Sequence, residues 1–151
     1  MTLAGPAAAA ALCAVTTSGC TGPSLTLICR HQRSEKLYAE VPVEEGTLIA
    51  HSWIHSIERS RWTETYRIES GGLVLRSSEF SQYGAGMPVD GGDVTHRDGK
   101  IVVENIDREF EAIRWFHSHQ ADYRIGVDED ETLLDAMTLP DREPLELRIE
   151  S

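Results

Sequence analysis

From Ser24 to its end this chain is built of short runs with period-two alternation, cut by turn signals about every eight to twelve positions. SLTLICR, KLYAEVPV, TLIAHSWIHS, WTETYRIES, GLVLRSSEF, KIVVEN, FEAIRWFHS, ADYRIGV and PLELRIES are rich in β-branched and aromatic residues. Glu45-Gly46, Gly71-Gly72, Asp90-Gly91-Gly92, Asp98-Gly99 and Pro140-Asp141 punctuate them. Alternation sends successive side chains to opposite faces, which suits a half-buried strand and not an amphipathic helix. Glu129 to Met137 is the one helical candidate, and it reads equally well as a turn plus a strand. The pattern predicts an all-β fold, an antiparallel β-sandwich or barrel of about nine short strands. No internal repeat or linker divides it, so residues 24–151 are expected to form a single β domain.

Ahead of that domain, residues 1–23 read as an export leader. Leu3 to Val15 carries no charge and is mostly small and apolar, too short to span a bilayer but suited to the core of a secretory signal. Thr17-Ser18-Gly19 then precedes Cys20, so small residues lead into a cysteine as at a lipidation site. Cys20 is the expected anchor, which places the domain outside the cytoplasm at the membrane surface. Cys13, Cys20 and Cys29 are three in number and contain no CxxC pair, so they make no even disulfide framework or zinc pair, and at least one serves something other than bridging.

Charge narrows the partners. The net charge is −11, with Lys36 and Lys100 as the only lysines, so no basic stripe exists to hold phosphates, and nucleic acid is not an expected partner. Such an acidic, lysine-poor surface is also what salt adaptation produces.

The most unusual stretch is HSWIHSIERSRWTETYRIES, His51 to Ser70. Alternation puts Trp62, Glu64, Tyr66 and Ile68 on one face and Thr63, Thr65 and Arg67 on the other. On the preceding strand Ile49, His51, Trp53 and His55 share a face. If Glu58-Arg59-Ser60-Arg61 is a four-residue connection, His55 falls opposite Glu64, Trp53 opposite Tyr66 and His51 opposite Ile68. A carboxylate on a half-buried face needs a partner, and a facing imidazole supplies one; each shifts the other's proton affinity. Such a pair serves either the fold or a ligand or proton site. His55 cannot act as base for Ser56, because neighbouring strand residues point to opposite faces. His117 and His119 share a face but lack an evident third ligand, so neither metal nor cofactor is expected.

Phe80-Ser81-Gln82-Tyr83-Gly84-Ala85-Gly86-Met87-Pro88 follows a strand with two glycines flanking an alanine. That pattern suits a tight edge loop, or one whose free amides form a small anion nest near Tyr83. Together His55-Ser56-Ile57-Glu58, Trp62, Glu64, Tyr66 and the Tyr83-Gly84-Ala85-Gly86 loop resemble a prokaryotic domain of unknown function with HSVE, E-x-Y and GAG motifs. Ile57 and Met87 depart from its usual valine and leucine. The resemblance implies a small exported β domain associated with TAXI-type TRAP transporters, which take up organic acids. The expected partners are then the transporter's membrane subunit or its solute-binding protein, and no catalytic residue is implied. The expected function is an accessory or ligand-binding module whose patch comprises His55, Ser56, Glu58, Glu64, Tyr66, Tyr83, Gly84 and Gly86. The alternatives are a small enzyme using a His–Glu acid/base pair and a purely structural surface domain.

Overall fold

In the computed structural model, which describes residues 24–82, 91–128 and 130–151, the chain is all-β. Eleven strands are described: β1 (Leu25–His31), β2 (Leu37–Val43), β3 (Leu48–Ile54), β4 (Arg61–Glu69), β5 (Gly72–Phe80), β6 (Asp93–Arg97), β7 (Lys100–Phe110), β8 (Ala112–Phe116), β9 (Arg124–Val127), β10 (Asp130–Leu134) and β11 (Pro144–Glu150). Among the described residues there is no α-helix, only 3-10 turns at His119–Ala121 and Ala136–Thr138. The segment open to a helical reading is therefore β10 followed by a 3-10 turn. The leader with Cys20, and the loop holding Tyr83, Gly84 and Gly86, lie outside the described residues.

Two antiparallel sheets result, one ordered β2-β1-β11-β8 and the other β10-β9-β3-β4-β5-β7-β6. The alternation read from sequence explains which faces meet. Leu27 and Cys29 of β1, Ile113 and Trp115 of β8, and Leu145 and Leu147 of β11 point inward from the smaller sheet. Ile49, Ile68, Leu73, Phe80 and Val103 meet them from the larger one, so a single core fills the space between the sheets. Burial among these apolar neighbours pushes the Cys29 thiol up to about 12, which keeps it protonated and inert.

Local chemistry sets the connections. Glu69 pairs with Gly72 across the two residues Ser70 (φ 53°) and Gly71 (φ 72°), and Arg97 with Lys100 across Asp98 (φ 53°) and Gly99 (φ 75°). Both central residues of each turn lie in the left-handed region, which matches the twist of a two-residue hairpin. The Glu45 carboxylate accepts hydrogen bonds from the Ser70 and Gly71 amides at 2.9 and 2.7 Å, tying the β4–β5 turn to the β2–β3 connection.

One connection shapes everything that follows. β7 belongs to the seven-stranded sheet and β8 to the four-stranded one, and only Glu111 lies between them. The chain thus turns from one layer into the other within a single residue.

Candidate functional site

β3 and β4 pair with Ile49 opposite Tyr66, His51 opposite Glu64 and Trp53 opposite Trp62. The connection does hold four residues, but they are Ser56 to Arg59, closed by the His55 amide donating to the Ser60 carbonyl at 2.9 Å. Arg59, at φ 52°, closes the turn by donating to the His55 carbonyl at 2.8 Å. The loop sits two residues earlier than the sequence suggested, so each cross-strand partner moves by four. His51, and not His55, faces Glu64. An even slip keeps every side chain on its expected face, which is why the aromatic clustering survived the change.

The expected patch is divided by this register. His55 lies at the hairpin end, its ring stacked on Trp62 at 4.9 Å. Glu58 accepts the Trp62 indole N–H at 2.8 Å and sits 3.8 Å from His55 Nδ1. Ser56 is exposed at the tip. These residues brace the turn around Trp62, which also stacks on Phe80 at 4.8 Å. Glu64 and Tyr66 instead enter a cavity of about 550 Å³ with His51 and Trp53, a volume in the range of small-molecule sites.

The opposite wall comes from the smaller sheet. Ala112, Ile113, Arg114 and Trp115 all line the cavity, with Phe110 at the corner and Tyr123 just before β9. Four consecutive residues of a strand cannot share one face, so the cavity meets the edge of β8, which among the described strands pairs only with β11. Arg114 contributes through that edge. Its guanidinium turns to the outer face, where Nε lies 2.9 Å from Glu146 of β11, its ladder partner. Tyr123 is positioned from the other side: Arg61 on β4 donates to the Asp122 carbonyl at 3.2 Å, pairs with its carboxylate, and bonds the Ser52 hydroxyl at 3.0 Å.

His51 is the centre of the aromatic lining. Its ring lies 4.9 Å from Trp115, 5.4 Å from Trp53 and 5.4 Å from Tyr123, the last nearly parallel. Only 3% of it is exposed, and neither ring nitrogen has a hydrogen-bond partner. Burial, with a smaller contribution from nearby His117, drives its pKa down to about 3, so the ring is neutral at physiological pH. Beside it, the Tyr66 hydroxyl donates to Glu64 Oε2 at 2.6 Å. Burial raises the Glu64 pKa against the opposing pull of that bond and of the Arg108 charge. Burial also raises the Tyr66 phenol, with the Glu64 charge adding to it, so Tyr66 stays a donor.

The histidines after β8 serve the fold. His117 is buried, accepts the Trp115 indole N–H at Nδ1 (3.1 Å) and bonds the Ala136 carbonyl through Nε2 (3.0 Å), which assigns the Nε2–H tautomer. His119 bonds the Leu139 carbonyl at 2.8 Å. Among the described residues no three His, Cys, Asp or Glu side chains gather as a metal set.

A family model places these elements together: residues 49–134, more than half of the chain, match the domain of unknown function DUF1850. The chain belongs to the DUF1850 family. The matched span opens at Ile49, two residues before His51, and contains every side chain lining the cavity. No curated protein and no solved structure matches the chain. Sequence reading of this DUF1850 domain named Glu64 and Tyr66 but gave His51 the wrong partner. It did not draw in Phe110, Trp115 or Tyr123. The strand character of AIRWF was visible; that Trp115 faces the β3–β4 hairpin across the layers was not.

Proposed function

We propose that this protein is an extracytoplasmic accessory module of a TRAP-type (TAXI) uptake system that binds a small molecule in the cavity between its sheets. The leader, with Cys20 as lipid anchor, holds it at the membrane, and the acidic surface suits a salty exterior. The transporter association rests on the resemblance carried by the His55–Glu58, Glu64–Tyr66 and Tyr83–Gly86 motifs. The ligand-binding half rests on a single observation: a buried histidine with both ring nitrogens unpartnered lines a cavity beside a carboxylate. Leaving such groups unsatisfied costs stability, and a site that waits for a ligand is a physical reason to keep them.

Proton-transfer chemistry would draw on the same two side chains. Burial lowers the ring's pKa to about 3, so it is a weak base, which supports binding over acid/base work at neutral pH. The decisive experiment is a tagged pull-down from gently solubilised membranes of the native host. Proteins are read by mass spectrometry, and small molecules are read after denaturing the eluate. Co-purification of a TRAP membrane subunit or solute-binding protein supports the association. Recovery of the domain alone, with no small molecule released, overturns both halves.

A further inference from the structure

The chemistry lining the cavity specifies a class of ligand. We infer that it takes a protonated amine on an apolar body, held by Glu64 and His51 and by the faces of Trp53, Trp115, Tyr66 and Tyr123. This rests on the reading of the cavity as a ligand site.

Charge decides the class. Among the described residues that line the cavity, Glu64 is the one carboxylate, and the one arginine, Arg114, is already paired elsewhere. Arg114, the other ionisable lining residue of fixed charge, is bound on the outer face by Glu146 at 2.9 Å and Glu111 at 3.7 Å. His51 is neutral, so it does not stand in for a lysine or arginine. A carboxylate ligand would face a like charge in a low-dielectric site, with only the exposed Arg108 charge to offset it. An ammonium group finds the reverse: a carboxylate acceptor, an unpartnered imidazole nitrogen to accept a second N–H, and aromatic faces that attract cations.

The same wall already holds a cation. The Arg108 guanidinium lies 5.0 Å from the centroid of the Phe110 ring, and Phe110 meets Tyr66 edge-on at 5.7 Å. Arg108 is exposed; its charge reaches Glu64, but its side chain is not among those that line the cavity. A net charge of −11 concentrates cations near the surface, which favours their approach. The module's ligand is then a different molecule from the organic acid that the resemblance assigns to the transporter.

The test uses three probes sharing one body: phenethylammonium, 2-phenylethanol and 3-phenylpropionate. Titration calorimetry and the fluorescence of Trp53 and Trp115 read binding to the purified domain at neutral pH. The ammonium compound is expected to bind at least tenfold tighter than the alcohol, and the carboxylate weakest. In Glu64→Gln, with the fold checked by circular dichroism, the ammonium probe loses at least tenfold while the alcohol is unchanged. For the wild type, ammonium affinity rises with pH as Glu64 ionises, with Tyr66, Arg108 and His51 the groups facing it. Tightest binding by the carboxylate, or indifference of the ammonium probe to Glu64→Gln, overturns the inference but leaves the cavity a ligand site. No binding by any of the three overturns both.

Discussion

At the scale of single residues, His51 and Glu64 hold proton affinities moved in opposite directions by the same cause, burial. For His51 the folded value lies far below the ordinary 6.5. As pH falls through that range the unfolded chain takes up a proton that the folded state refuses, so stability present above it is lost progressively toward pH 3. His117, also lowered by burial, acts in the same sense. Urea midpoints are expected to fall between pH 7 and 5, and to fall less in His51→Phe. Glu64 behaves oppositely: its raised value means that stability is full below the ordinary carboxylate range and declines as pH rises through the folded value. Glu64→Gln keeps an acceptor for the Tyr66 hydroxyl and removes the buried charge. It is expected to be at least as stable as the wild type at pH 7, by urea midpoint, while losing ligand. A stabilised variant that no longer binds is the pattern of a site maintained against the interest of the fold.

The elements explain which parts of this were legible. Faces were: Trp62, Tyr66 and Ile68 are buried and Arg67 exposed, as alternation requires. Pairing was not, because alternation fixes parity and leaves register free by two residues at each strand, and the turn decides between the allowed registers. Here the decision falls to Arg59 in the left-handed region, at a position where sequence offers no glycine or asparagine. The strand β6 also escaped notice, being short and mostly polar. Two variants test the elements directly. Trp62→Ala removes a side chain 4% exposed that packs on Phe80, Trp53 and His55. It is expected to cost about 3–5 kcal/mol in chemical denaturation. Gly92, at φ 97°, would bring a Cβ within 2.7 Å of the Glu104 carbonyl, so Gly92→Ala is expected to lower the melting temperature by forcing β6 away from β7.

At the scale of the whole molecule, the cavity exists because the two layers are unequal. Four strands cannot cover seven, and β8 ends the smaller sheet above the face of β3 and β4. No window of sequence contains this fact; it arises from strand order, which is why Trp115 and Tyr123 joined the site only in three dimensions. The outer face of the smaller sheet is held by Glu146, which is 4% exposed and bonded to Arg30 at 2.8 Å and Arg114 at 2.9 Å. Burial pushes its pKa up, and the two arginines outweigh that and hold it below the ordinary value. Glu146→Ala is expected to cost about 2 kcal/mol at pH 7, since it removes charge-assisted bonds and leaves two arginines facing each other. The difference from wild type should shrink in acid, as protonation of Glu146 releases the same bonds.

The passage from β7 to β8 at Glu111 makes the two walls of the cavity neighbours along the chain as well as across space. Like the pivot of a pair of callipers, it sets how far the jaws stand apart where Phe110 and Ala112 meet. Lengthening the chain there by one residue would alter the gap while leaving both ladders nearly intact. The gap between the walls is therefore a property of backbone length at that corner, separable from the side chains that line it.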